Sequence, residues 1–290
     1  MIPKIGLNYV PLHHSLLVEG GRLAEQLGFE GVWLGEHIIT PFEDDSRYPG
    51  EKLPFTHDSP FLEPLVVLGA LAVTTRRLRL GTGVLMAPVR DPFLTARELA
   101  TVDALSDGRL DVGLGLGWSR EEYAILGRDW HKRGKRMDEF VHVLRALFDP
   151  DVCEFHGELL DMPKMGFAPR SPQGLRPPLH LGGHTPRALQ RAALLGDGWY
   201  GGSAAVKDAA QYVDTITRHR LDAGLSMEGY QFSVVLLHRP TRGELETLSA
   251  AGVHRAVITP WRRADGPAHP GEFDDLDPVR ALAKEIGLGE

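Results

Sequence analysis

LRLGTGVLM at residues 78–86 and RLDVGLGLG at residues 109–117 decide the fold. Each is a short apolar run with β-favouring residues and glycine, and the stretch between them, about residues 91–105, has helical spacing. Strand, helix and strand in that order, with no hairpin turn, imply a parallel pair joined by a crossover. The same unit recurs outward in both directions. Upstream lie a strand at residues 4–10, a helix at about 15–27 that closes at Gly28, a residue suited to a left-handed cap, a strand at 31–38 and a helix at about 61–75. Downstream, strands at 179–182, 198–201, 231–238 and 255–259 alternate with helices at 185–195, about 205–223, 242–251 and 277–286. Eight strands and eight helices predict an α/β protein, a (β/α)8 TIM barrel, with residues 1–290 as a single domain. An open doubly wound sheet uses the same alternation.

The repeat is interrupted once, between strands four and five. Residues 118–132 read as loop with one helical turn. Residues 133–148 carry Met137, Phe140, Val141, Leu144, Leu147 and Phe148 at helical spacing, residues 152–161 suggest a hairpin, and residues 162–178 contain five prolines. This stretch is an insertion into the barrel.

Composition narrows the function classes. Apolar residues make up 42% and charged residues 24% of the 290, an ordinary globular balance. A formal net charge of -7 disfavours nucleic acid and anionic membrane as partners and leaves a small molecule. The one cysteine, Cys153, allows neither an intrachain disulfide nor a cysteine metal cluster, and no metal is expected. The first residues lack a charged and then apolar leader pattern, and no run of about 18 apolar residues occurs, so the cytoplasm is the expected compartment.

In a barrel of this kind the loops after the strands converge on one face, and chemistry is sought there. Strand two ends in Gly35-Glu36-His37. An imidazole titrates near neutrality and can exchange a proton with a reacting group, an effect worth roughly 10²–10⁴-fold in rate. A structural histidine bonded to a carbonyl is the competing reading, and of the pair His37 rather than Glu36 is expected to face the cavity, because neighbours on a strand point to opposite sides. Strand three ends in Gly81-Thr82-Gly83-Val84-Leu85-Met86, a pattern that suits a bulge, close approach of a ligand, or simple packing. Strand four gives Gly113-Leu114-Gly115-Leu116-Gly117-Trp118. Its alternating glycines do not match a dinucleotide fingerprint, but they put one strand face without side chains and leave room for a planar group, with Trp118 as a wall or as a core residue. Strand five runs through Gly182-Gly183-His184-Thr185-Pro186 straight into a helix, a place for a phosphate or for an ordinary cap. Gly201-Gly202-Ser203 after strand six is a second small-residue turn. The basic run from His131 to Arg136 is either a solvated helix start or an anionic rim.

Four stretches together resemble the luciferase-like monooxygenase superfamily, and within it the deazaflavin (coenzyme F-420)-dependent oxidoreductases. They are Gly28-Phe29-Glu30-Gly31-Val32-Trp33 with Glu36-His37, Arg77-Leu78-Arg79-Leu80-Gly81-Thr82-Gly83-Val84, Leu105-Ser106-Asp107-Gly108-Arg109-Leu110, and Gly117-Trp118-Ser119-Arg120-Glu121-Glu122. The resemblance implies a flavin-like ring across the barrel mouth, pressed by a cis peptide at Gly83-Val84; the strand-four reading puts Gly117 and Trp118 beside such a planar group. It implies His37 and Glu36 near the reactive ring carbon and a phosphate held by Gly182, Gly183, His184 and Thr185, with Gly201 and Gly202 nearby. Hydride transfer between coenzyme F-420 and a small organic substrate is the expected function. A reduced-FMN monooxygenase using oxygen and a non-catalytic flavin-binding protein are the alternatives, and a homodimer is the assembly that the resemblance implies. The loops at residues 40–60 and 162–178 are expected to cover the pocket and set substrate choice.

Overall fold

A computed structural model of the chain describes residues 1–10, 12–41, 48, 55–151, 153–202, 208–261 and 273–289. Eight parallel strands close into a barrel. In chain order the elements are β1 (Lys4–Asn8), α1 (Leu17–Gln26), β2 (Gly31–Leu34), α2 (Pro64–Thr74), β3 (Arg79–Met86), α3 (Pro92–Leu105) and β4 (Leu110–Gly115). Then come α4 (Arg120–Ile125), α5 (Arg133–Phe148), the short strands β5 (Phe155–His156) and β6 (Asp161–Met162), β7 (Leu179–Gly182), α6 (Pro186–Leu195) and β8 (Gly198–Gly201). The chain finishes with α7 (Ala209–Asp222), β9 (Gln231–Leu236), α8 (Arg242–Ala250), β10 (Arg255–Ile258) and α9 (Asp277–Ile286). Around the barrel β1, β2, β3, β4, β7, β8, β9 and β10 follow one another, and β10 pairs with β1 at Lys4↔Arg255 to close it. The open-sheet alternative is thereby excluded.

Helix starts follow the local chemistry. Asp91 accepts the N–H groups of Phe93 and Leu94, both at 2.9 Å, with Pro92 in the first turn, so α3 begins where its orphan donors are satisfied. Glu63 caps α2 with Pro64 behind it, which is why that helix starts later than residue 61. Strands are shorter than the apolar runs suggest. β2 stops at Leu34, not residue 38, and β4 at Gly115, not residue 117, because Gly35 to His37 and Leu116 to Trp118 already turn into loops. The first part of the insertion is more helical than expected, with α4 and a 3-10 turn at Trp130–Lys132. The expected hairpin is present as antiparallel β5 and β6, its turn gripped by buried Glu139, which accepts the N–H groups of Glu158, Leu159 and Leu160. Residues 163–178 form no helix or strand. The expected helix start at residue 205 lies outside the described residues, and α7 is seen from Ala209.

The barrel interior is filled in layers. At the bottom, buried Asp111 meets Arg79, His180 and Arg255, and Arg255 also meets Glu30. Above it lies the Trp33 ring, fully buried, with the Arg255 guanidinium 4.6 Å from its centroid. Trp33 fits because Gly6 and Gly81 face it: a Cβ at either would sit 2.3 or 1.9 Å from the indole. Tyr200, Val235 and Val257 pack over it, with Val84 at the edge of the mouth. Among the described residues no helix is long and apolar enough to cross a membrane.

Candidate active site

The loop after β2 brings the first two candidates together and turns them apart. Glu36 points back to the barrel: its Oε2 accepts the Met86 N–H at 2.7 Å and its Oε1 accepts from Arg90 Nε at 2.8 Å. Arg90 also pairs with Glu63 and Glu98. Burial alone would lower the Arg90 guanidinium, but Glu36 and Glu63 hold it above its ordinary range, so it stays charged. Glu36 thus ties β2 to the end of β3. Because β2 has ended, this divergence of neighbours comes from the loop and its partners rather than from strand pleating.

His37 points the other way. Its Nδ1 lies 3.0 Å from Oε2 of Glu122, and its Nε2 lies 3.4 Å from the indole Nε1 of Trp118. Phe55 and Phe61 pack against the imidazole, with ring centroids 4.8 and 5.0 Å away, and Tyr48 joins Phe55 and Trp118. The histidine is therefore held by a carboxylate and roofed by aromatic rings. No carbonyl partner of the kind a structural histidine uses is found for it among the described residues.

Glu122 escaped sequence reading. It sits in the first turn of α4, whose N-cap Ser119 accepts its N–H, and its Oε1 accepts the N–H groups of Ile38 and Ile39 at 2.7 and 3.2 Å. Its side chain is 1% exposed. In the sequence it is the second of two adjacent glutamates at a helix start, 85 positions from His37, and nothing marks which of the two is turned inward.

The glycine-rich strand tips form one surface. The peptide between Gly83 and Val84 is cis, and the β3 to β4 register shifts between Thr82 and Leu85. Gly35 lies against this bulge: a Cβ on it would come within 3.3 Å of the Gly83 carbonyl. The room left by these glycines is taken by β3: a Cβ at Gly113 would lie 2.2 Å from the Thr82 carbonyl oxygen, and one at Gly115 would lie 2.4 Å from a Val84 methyl group. The expectation of an open glycine face on β4 is therefore corrected: the neighbouring strand fills it, and the free surface is at the tips. Gly117 adopts a left-handed φ of 72° and carries Trp118 across to His37.

A second cluster gathers at the β7 and β8 tips. Gly183 has φ 118° and its carbonyl accepts the indole N–H of Trp199 at 2.9 Å, and Thr185 caps α6 by accepting the Ala188 N–H. His184 packs against Trp199 and Tyr212, with Gly202 against its ring. Its Nε2 is buried without a partner among the described residues, and burial pushes its imidazole below the ordinary histidine range. Gly182 links the two clusters, since a Cβ there would touch Val84. Gly201 packs on the Trp199 ring, while Ser203 lies outside the described residues.

The family model of the luciferase-like monooxygenases matches residues 13–274. The chain belongs to that family. Among luciferase-like relatives, an uncharacterised protein of Mycobacterium tuberculosis is 33% identical over 86% of this chain and 84% of its own length. A 5,10-methylenetetrahydromethanopterin reductase of Archaeoglobus fulgidus is 30% identical over 78% of this chain and 59% of that protein. In fold, the chain is similar to an F-420-dependent secondary alcohol dehydrogenase solved with an F-420–acetone adduct, with a TM-score of 0.77, 16% identity and 100% of both chains covered. The luciferase-like family is one of oxidoreductases and monooxygenases, and this chain is accordingly an enzyme of that broad class.

Proposed function

We propose that this chain transfers a hydride between a deazaflavin, coenzyme F-420, and a small organic substrate at the barrel mouth, with His37 exchanging the accompanying proton. The observation that carries the reading is the meeting at one rim of a partly buried, carboxylate-held imidazole and glycine-rich strand tips that include Gly83, Gly117 and Gly182. The residues present fit such a group. His184 Nε2 is buried and has no partner among the described residues, beside Gly183 and Gly202, as a phosphate-bearing tail would require. Gly83, Val84, Gly117 and Trp118 would line the ring, and Gly182, Gly183, His184, Thr185, Gly201 and Gly202 would hold the tail.

When bound, the coenzyme supplies a carbon that gives or takes a hydride. The chain supplies the rest. His37 exchanges the proton at Nε2, Phe55, Phe61 and Trp118 keep water from that nitrogen, and Glu36 with Arg90 fixes the β3 end. The Archaeoglobus relative, matched over 78% of this chain, is a 5,10-methylenetetrahydromethanopterin reductase, which favours this branch. A second reading, a reduced-FMN monooxygenase, is favoured by the description of the matched family itself. Titrating the purified protein separately with coenzyme F-420 and FMN, then following turnover with and without oxygen, decides between them. Oxygen-independent turnover with F-420 is expected, and oxygen consumption with FMN would replace the proposal by the second reading. Ligand retained with no turnover by any coenzyme would make the chain a carrier.

A homodimer belongs to the same proposal. The outward face of α2 carries Val66 and Val73, 72% and 55% exposed, with Ala70 between them and no charged residue anywhere in the helix. An apolar face of this kind suits a second copy of the chain. Val66→Glu with Val73→Glu is expected to give a monomer by light scattering, and an unchanged mass would place the interface elsewhere.

A further inference from the structure

The imidazole of His37 is bonded at both nitrogens, and the two partners are not equivalent. An indole N–H can only donate, so at the Trp118 contact Nε2 must accept. A carboxylate only accepts, so at the Glu122 contact Nδ1 must donate. A neutral ring with its proton on Nδ1 is the form that satisfies both. Glu122 is held to this task from behind, because its other oxygen is engaged by the N–H groups of Ile38 and Ile39, the two residues that follow His37. Phe55 and Phe61 cover the ring faces and bring no charge. The charged groups of the adjoining segments, Glu36, Arg90, Glu63 and Glu98, are paired with one another on the opposite side of the loop.

We propose that Glu122 and Trp118 together decide which nitrogen of His37 works and when it is free: Glu122 keeps the proton on Nδ1, and the Trp118 indole occupies Nε2 until substrate displaces it. The inference rests on the reading of His37 as the proton-exchanging residue and deepens it. Glu122 acts through His37 and is a positioning residue. Trp118 is a gate whose 3.4 Å contact is long for a hydrogen bond and therefore weak. The gate also selects a substrate class. A hydroxyl donates to Nε2 in place of the indole and at a shorter distance, whereas a bare carbonyl would set one acceptor against another. The geometry suits a substrate that brings an O–H at the reacting carbon.

The test uses the full chain without coenzyme, labelled with ¹⁵N-histidine, with His37 assigned by its disappearance in His37→Gln. Two-bond ¹⁵N–¹H spectra above the titration range are expected to show His37 protonated on Nδ1. In Glu122→Gln the single amide oxygen stays with Ile38 and Ile39, the NH₂ faces His37, and the proton is expected to move to Nε2. Trp118→Phe keeps the ring wall but removes the N–H. The Nδ1 tautomer should persist there, while the rate of His37 acylation by diethyl pyrocarbonate, located by peptide mass spectrometry, rises roughly two- to fivefold, the weight of one weak hydrogen bond. In Glu122→Gln that rate should fall.

A wild-type ring protonated on Nε2, or a tautomer unchanged by Glu122→Gln, overturns the role of Glu122. An acylation rate unmoved by Trp118→Phe overturns the gate. If Glu122→Gln does not fold, the wild-type tautomer and the Trp118→Phe rate still decide. Failure of F-420 to bind or turn over in the wild type would sink the redox reading and leave these spectra untouched.

Discussion

Two histidines of this barrel are each bonded to a buried carboxylate, and they sit at opposite ends of it. At the closed end His180 Nε2 lies 3.3 Å from Asp111, on whose carboxylate Arg79 and Arg255 also converge, at 2.6 and 3.4 Å. At the mouth His37 Nδ1 lies 3.0 Å from Glu122, whose remaining partners are backbone N–H groups. The lower cluster is contributed by β3, β4, β7 and β10 and is locked by paired full charges. The upper one is built from loops and a helix start, and one of its bonds is long enough to give way. The same imidazole–carboxylate pairing therefore makes a clamp where charge is compensated on rigid strands, and a site where one partner can be displaced.

The lower cluster offers the largest effect with which to break this contrast. Burial would raise the Asp111 carboxyl, but Arg255, His180 and Arg79 hold it well below the usual carboxylate range. Asp111→Ala strands Arg255, itself 2% exposed, and is expected to cost about 3–5 kcal/mol in denaturant unfolding. A loss near zero would mean that Glu30 alone balances Arg255 and that the clamp is not built on Asp111. The pH dependence carries the same sign. With a depressed folded value, the stabilisation is complete above the unfolded aspartate pKa, about 3.9, and is lost as pH falls through the lower folded value. The wild type should thus show an acid unfolding step below about pH 4 that Asp111→Ala lacks.

The upper pair is expected to respond in the opposite way. His37→Ala should slow turnover by on the order of 10²-fold or more, while the unfolding midpoint moves far less than in Asp111→Ala. Comparable losses of stability at both ends would make His37 another structural histidine, and retained turnover would remove it from the chemistry.

The alternation of apolar runs and helical periods was enough to read the barrel and its insertion, because crossover connections leave a regular rhythm in the chain. Thr185 and Pro186 likewise announce α6 locally. What could not be read depends on contacts between distant segments. Glu122 resembles Glu121 in sequence, and only the fold turns one of them onto His37 and the Ile38–Ile39 backbone. The Thr82 carbonyl against Gly113 and Val84 against Gly115 are equally invisible, since the glycines declare a missing side chain on β4 but not which neighbour will enter. Trp33 in the groove of Gly6 and Gly81 belongs to the same class. Glycine pattern marks close approach, and topology decides by what.

A third histidine sharpens the contrast with the smallest expected effect. Among the described residues His184 has neither a carboxylate partner in hydrogen-bond range nor a bond at Nε2, and burial pushes it below the ordinary histidine range despite a backbone bond to Gly202 and the field of Asp208. For a base with a lowered folded value, the unfolded chain takes up the proton first, so stability is complete above about pH 6.5 and declines as pH falls through that value. His184→Gln is expected to flatten the part of the thermal-stability profile between neutral pH and about pH 5, and to leave the step assigned to Asp111 in place. Bound phosphate at this position would favour the charged ring and reverse the trend, so the same scan repeated with saturating coenzyme should slope the other way. A profile indifferent both to His184→Gln and to coenzyme would separate this histidine from the phosphate site and leave the tail to be held by Gly182, Gly183 and Thr185 without it.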